Sequence, residues 1–373
     1  IDNGTLTLNH ANAAGTGGIF VGRDSGTASA TLKLGLATTF ANNLTIRTES
    51  TGIKYLSAPE TATLSGTLAI AETDDDRFTI DVASGKSLTL SGIVSGDSDG
   101  GKITKTGAGT LTFSNTGNTH DKKVQINEGT VAISASRNLG ADPGGAYAGK
   151  ITLNGGTLQA NASFALHQYY STTLGANNGF IEVTDGYTLT VPAAISGSGG
   201  MGKTGTGTLL LTGANTFTGP MTNSAGTIQI GNNGTVGSVA ANIVNNAALV
   251  WHRSDDVTYA GQISGTGTLT KNGAGTLTLS GSNGMSGNTT VSAGTLLVSG
   301  SLANSAVTVS SGATLMGDGP IGDLVIGGTV DPGNTVGARA ALVADAVTLQ
   351  SGGAMRVDVS NVDGAAGTGW DLI

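Results

Sequence analysis

Short runs in which apolar and polar residues alternate, each broken after a few residues by Gly, Asn, Asp or Ser, recur along the whole chain. In Thr110-Leu111-Thr112-Phe113, Lys123-Val124-Gln125-Ile126 and Thr130-Val131-Ala132-Ile133 every second side chain is apolar. A period of two marks a strand with one buried face. The same grammar runs through Lys150-Ile151-Thr152-Leu153, Gly156-Thr157-Leu158 and Gly179-Phe180-Ile181-Glu182-Val183-Thr184. Helical periodicity is absent, so no helix is expected.

The runs are organised by a repeat. Lys105–Phe113 reads KTGAGTLTF, Lys203–Leu211 reads KTGTGTLLL and Lys271–Leu279 reads KNGAGTLTL. An Ile-containing segment precedes each copy, at Ile93, Ile195 and Ile263. A Gly-Thr pair opening a further strand follows at Gly129, Gly226 and Gly294, 24, 23 and 23 residues beyond the lysine. The copies occupy about 92–134, 195–230 and 263–298. Leu111, Phe113, Val124, Ile126, Val131 and Ile133 take the inward positions of the first copy. In the second copy Asn223 stands where Ile126 and Val291 stand, an inward amide that stacking on another amide would satisfy.

Hairpin-type two-residue loops are mostly missing, so the strands are expected to coil. Three short strands per winding of roughly twenty to twenty-four residues, each pairing in parallel with its equivalent one winding away, would satisfy the backbone along the axis. The expected fold is all-β: a single-stranded, right-handed parallel β-helix, an elongated rod running as one unit over residues 1–373. Lysine-to-lysine spacings of 98 and 68 residues leave room for further windings between copies. The least regular stretch, 161–175, gathers Phe164, His167, Tyr169 and Tyr170, and is either a protruding loop or an aromatic plug in the core.

Composition agrees with this picture. Of 373 residues 62 are Gly, 11% are charged and 4% aromatic, so disorder is unlike this chain and the core must be built from Val, Ile, Leu and Ala. The net charge of −8, with basic residues scattered singly apart from Lys122-Lys123, makes nucleic acid a poor partner. The absence of cysteine excludes disulfides and thiolate metal sites. No apolar run reaches the roughly 18 residues of a membrane span, and no signal peptide opens the chain. Strand-like residues at Asn3–Leu8 and an unterminated Trp370–Ile373 suggest an excerpt of a longer polypeptide.

The K-x-G-x-G-T-L-x-L strand followed by a Gly-Thr strand resembles the autotransporter-associated β-strand repeat of Gram-negative passenger domains. The resemblance covers the three copies, about a third of the chain. A second stretch within 312–335 is similar to the segment that follows such repeats: Gly317-Asp318-Gly319-Pro320-Ile321-Gly322, then Gly328-Thr329-Val330-Asp331-Pro332-Gly333-Asn334. Asp318 and Pro320 depart from the commoner small residues. The resemblance implies export across the outer membrane to the cell surface or beyond. It implies no particular activity, since such scaffolds carry adhesins, enzymes and spacers.

Candidate chemistry is sparse. Asp74-Asp75-Asp76-Arg77, within 72–77, places successive side chains on opposite faces of a strand and reads as a solvated corner. Asp97 and Asp99 before Gly100-Gly101 lack a repeating calcium-binding pattern. His10, His120, His167 and His252 are far apart, with no metal spacing among them. No nucleophile elbow or phosphate loop is present. Trp251-His252-Arg253-Ser254-Asp255-Asp256 combines an aromatic, an imidazole and both charge signs. It is a contact site for sugar or protein, or, by the blander reading, a corner with Trp251 over the core.

No catalytic, cofactor-binding or metal-binding residue is therefore assigned. The expected function is an exported, non-catalytic stalk or adhesin, with host or cell-surface glycans or proteins, or further copies of itself, as partners. The alternatives are a carbohydrate-active β-helix, lyase or glycosidase, using carboxylates beside Arg77, Arg253 or a lysine, and a phage or appendage fibre.

Overall fold

A computed structural model describes residues 1–355, apart from 24–25, 48–50, 72–77, 97–100, 143, 146 and 334–340. Asp74–Arg77, Asp97, Asp99, Gly100, Asn334 and Trp370–Ile373 thus lie outside the described residues. The chain forms two compact units, Ile1–Leu209 with Thr216–Gly219, and Leu210–Asn215 with Pro220–Ile373. Each is a parallel β-solenoid, the all-β class expected from the alternation.

Unit 1 has three faces. The first stacks Gly4–Leu8, Ala30–Leu34, Lys54–Ala58, Phe78–Val82, Lys102–Thr106, Lys123–Ile126, Tyr147–Leu153, Tyr170–Leu174 and Ile195–Gly197 in that order. The second carries Thr39–Phe40, Ala62–Leu64, Ser87–Leu90, Thr110–Phe113, Thr130–Ile133, Thr157–Ala160, Gly179–Val183 and Met201–Thr204. The third begins with Ile19–Val21, Leu44–Arg47, Leu68–Ala71 and Val94–Gly96. Sequence neighbours thus never pair. Each strand bonds its equivalent in the next winding, in parallel register.

Unit 2 repeats the scheme. Thr227–Gly234, Ala248–Arg253, Thr268–Asn272, Thr289–Val291, Val307–Val309, Leu324–Ile326 and Val347–Leu349 form one face. Val257–Tyr259, Thr276–Leu279, Thr295–Val298, Thr314–Gly317, Thr329–Pro332 and Ala354–Met355 form the next. The stretch that resembles a post-repeat segment supplies two of these windings, with Ile321 and Val330 buried. Of its two isolated bridges, Leu302–Ile321 is parallel and Gly317–Gly333 antiparallel.

The core is a set of columns. Leu88, Leu111, Val131, Leu158 and Ile181 occupy one inward position on five successive windings, all essentially inaccessible to solvent. Outward, Thr39, Thr63, Thr89 and Thr112 stack in the same register. Branched threonine fits the pleat while its hydroxyl stays hydrated. Burying one aliphatic side chain contributes about 1.5–3 kcal/mol, whereas ordering a residue's backbone costs about 1–2 kcal/mol. A lone winding, with a handful of inward side chains on some twenty residues, therefore cannot stand, and stability comes from covering one winding with the next.

Two glycines of the repeat set the corners. Gly107, Gly205 and Gly273 have φ of 72°, 70° and 80°, and Gly129, Gly226 and Gly294 have φ of 63°, 69° and 64°. That region is open to glycine without penalty. The corners also close over one another, since a Cβ on Gly129 would come within 2.4 Å of the Gly109 carbonyl and 2.5 Å of the Gly107 carbonyl. The described residues hold one helical element, a four-residue 3-10 turn at Ser136–Leu139. No helix among them is long and apolar enough to cross a membrane.

Candidate functional site

The repeat lysines point inward. In the strand Lys102–Thr106 the alternation that buries Ile103 also buries Lys105, which stands in a column between Ile80 and Ile126. Its Nζ donates to the carbonyl oxygens of Thr106 (2.7 Å), Gly107 (2.6 Å) and Glu128 (3.3 Å). Lys271 does the same with Asn272 (3.1 Å), Gly273 (2.9 Å) and Ala293 (3.1 Å). Lys203 donates to Thr204 (2.8 Å) and Gly205 (2.7 Å).

The four-carbon stem crosses the apolar interior while the ammonium reaches the corner. There the Gly conformation turns consecutive carbonyls toward one point. Glu128 and Ala293 belong to the winding above, so this ammonium ties two windings together. Burial pushes Lys105, Lys203 and Lys271 down to about 8, opposed by Asp81 and Glu128, by Glu182 and by Asp256 respectively. An amine sealed from solvent and occupied by carbonyls is a structural clamp. It offers no nucleophile or base to a groove.

A second polar cluster lies inside unit 1. Asn118, His120, Lys122, Asn138, Lys150 and Tyr170 are all buried. Lys150 Nζ donates to the Lys122 carbonyl at 2.8 Å and lies 5.3 Å from the centre of the Tyr170 ring. Tyr170 Oη donates to the Ala141 carbonyl at 2.6 Å. Burial lowers Lys150 to about 7, against the opposing charge of Asp121. Of the aromatic stretch 161–175, Tyr170 is the plug, while Phe164 and Tyr169 are half-buried and the His167 ring lies tilted against both tyrosines, ring centres 5.4 and 5.5 Å away. Phe164-Ala165 and Tyr170–Leu174 are strands of the solenoid, so most of the stretch is winding rather than loop.

Trp251–Asp256 resolves into a corner. Trp251 is buried against Tyr259, ring centres 5.0 Å apart. Arg253 is buried too, with Nε and Nη2 on Asp255 Oδ1 (2.8 Å) and Oδ2 (2.7 Å). Its remaining donors reach the Thr235 carbonyl (2.7 Å) and the Gly237 carbonyl. This bidentate bond holds the Asp255 carboxyl below its usual range. Arg253 thus pins the excursion around Asn233 and Val236, where Asn233 has φ 56° and Val236 is 57% exposed. Asp256 accepts from the Thr276 N–H at 2.7 Å. Trp251 is in the core and Ser254 and Asp256 are exposed, as the blander reading has it, whereas Arg253 is buried rather than part of an exposed turn. His10, His120, His167 and His252 are not brought together, and no group of three or more His, Asp or Glu among the described residues is placed to hold a metal. A shallow depression of about 430 Å³, lined by Ala37, Thr38, Thr39, Thr61, Ala62 and Thr63, contains no charged side chain.

Parallel windings built on lysine-clamped corners define a repeat β-solenoid. Residues 103–133, 202–230 and 269–298 match the passenger-associated-transport-repeat, one match for each copy seen in the sequence. Over 184 residues the chain is 36% identical to the adhesin BmaC autotransporter of Brucella suis biovar 1. That stretch is 49% of this chain and 5% of the relative, so the chain spans a small fraction of the protein it matches. No solved structure matches.

Proposed function

We propose that the chain is part of an exported, non-catalytic passenger of adhesin type, displayed at or beyond the cell surface. The observation that carries this reading is the coincidence of three passenger repeats with windings whose interior lysines donate to the corner carbonyls. The adhesin name belongs to a relative, and it supports a binding role for the Thr-rich outer faces of this chain. Their targets, on this reading, are glycans or proteins of a host or of other cells.

The test is to display the chain on a non-adherent bacterium through an autotransporter barrel and count bacteria retained on epithelial monolayers. Retention above that of the empty barrel is expected. Cleavage of pectin or another polyanionic glycan by the purified chain, with no gain in retention, would replace this reading with the enzymatic one.

A further inference from the structure

Each copy follows its Leu-rich strand with a buried asparagine and, two residues on, a large interior side chain. The second copy has Asn215-Thr216-Phe217, the third Asn283-Gly284-Met285 and the first Asn118-Thr119-His120. The asparagines do equivalent work across windings. Asn118 accepts from the Val94 N–H (2.8 Å) and donates to the Asn138 carbonyl (2.8 Å). Asn283 accepts from the Ile263 N–H (2.9 Å) and donates to the Ser301 carbonyl (3.1 Å). Phe217, Met285 and His120 are at most 1% exposed. An imidazole therefore fills a position that the other copies give to an apolar side chain.

We propose that His120 makes the first repeat copy an acid-sensitive point of unit 1, where a fall in pH loosens the winding around it. Neither ring nitrogen of His120 makes a hydrogen bond of normal geometry among the described residues, and the Lys122 backbone is near enough to favour the charged ring only in part, against the larger effect of burial. The Lys122 carbonyl nearby is engaged by Lys150. The groups facing the ring are the Phe113 ring at 6.2 Å, the cations Lys122 and Lys150, and Asp121 beside them. Tyr170 packs behind Lys150, and the 3-10 turn adds Asn138, with its Arg137–Asp142 ion pair exposed outside. An imidazolium here would be desolvated, with two ammonium groups close by.

Burial first, and Lys150 second, hold His120 well below the ordinary imidazole value. The unfolded ring takes up its proton near about 6.5 while the folded ring does not, so stability is whole above that pH and falls below it. A single proton gives up to about a tenfold change in the open-to-closed ratio per pH unit. Lys150, lowered to about 7, is half protonated in the folded state at neutral pH and adds about a twofold change of the same sign on the way down, less than that expected of His120. Carboxylates titrate lower, near about 4.

Hydrogen exchange of the purified chain, followed by mass spectrometry at about pH 7 and about pH 5 and corrected for intrinsic rates, tests this. The expected result is at least a tenfold rise in opening of residues 118–141 at the lower pH, with the equivalent segment 283–302 unchanged. His120→Phe and His120→Met should cut the rise to about twofold at most, and His252→Gln should keep it. The internal comparison of the two copies needs no variant, so a variant that fails to fold leaves the test intact. Equal behaviour of the two copies, or a rise above about twofold in either His120 variant, overturns the proposal.

Discussion

The Nζ of Lys105 lies 2.6 Å from the carbonyl oxygen of Gly107, two residues further along the chain, and the pairs Lys203–Gly205 and Lys271–Gly273 repeat this bond at 2.7 and 2.9 Å. Lysine and glycine of the motif thus form one device. Glycine turns the carbonyls inward at the corner, and the lysine supplies the donor that a buried carbonyl requires.

Removing that donor should be costly. Lys105→Met keeps the stem and leaves buried carbonyls of Thr106, Gly107 and Glu128 without this partner. Leaving such groups unsatisfied costs about 1–3 kcal/mol. Urea denaturation should place Lys105→Met lower by that order, while Lys33→Met, a half-buried position on an outward row, should change little.

Stability should rise with pH through the neutral-to-alkaline range. The folded Lys150 amine is lowered to about 7, against an unfolded value near about 10.4. Below about 7 both states carry the proton and the full burial penalty applies. Above it the folded state releases its proton first, so the penalty shrinks as pH climbs toward the unfolded value. Melting temperatures between pH about 7 and about 9.5 should increase, and Lys150→Met should flatten that slope. Lys105, Lys203 and Lys271, at about 8, add the same sign.

The inward asparagines of unit 2 should behave as a coupled pair. Asn223 Nδ2 donates to Asn245 Oδ1 (3.0 Å) and to the Ala248 carbonyl (2.8 Å), and Asn245 Nδ2 donates to the Thr268 carbonyl (2.9 Å). Asn245→Leu should cost about 1–3 kcal/mol because it strands a buried amide. The double variant Asn223→Leu/Asn245→Leu should cost less than the sum of the singles in a double-mutant cycle.

Corner glycines should divide sharply by position. Gly129→Ala places a methyl against two backbone carbonyls at positive φ and should destabilise by several kcal/mol. Gly144→Ala has nothing within 4 Å and should stay within about 0.5 kcal/mol in thermal unfolding.

The strands, their inward faces and the corner glycines were legible because alternation and turn chemistry are local. Asn223 was legible as an inward amide, although its partner Asn245 was not, since nothing in the sequence shows which winding lies above which. The inward direction of the repeat lysines was not read from the sequence, where they counted only as singly scattered basic residues. Their phase was the available signal: Ile103 and Lys105, Met201 and Lys203, and Leu269 and Lys271 are each two residues apart on one strand face. Phase alone does not settle the direction, because the carbonyls that make an inward ammonium acceptable come from a corner and from the next winding. His120 was examined for metal spacing alone, whereas alignment of the Asn-x-large triplet across the copies places it in the core.

The register of adjacent windings is the central structural claim, and a cysteine-free chain allows it to be tested directly. Thr89 and Thr112 face outward as neighbours on successive windings, and Ala132 is one winding further. Neighbouring parallel strands stand about 4.8 Å apart, inside the Cα separation that a disulfide spans, and alternate windings at twice that distance lie outside it. Oxidation of Thr89→Cys/Thr112→Cys should give an intramolecular disulfide, seen as loss of both free thiols in monomeric protein, while Thr89→Cys/Ala132→Cys should keep both thiols. Cross-linking of the second pair in preference to the first would contradict the stacking described here.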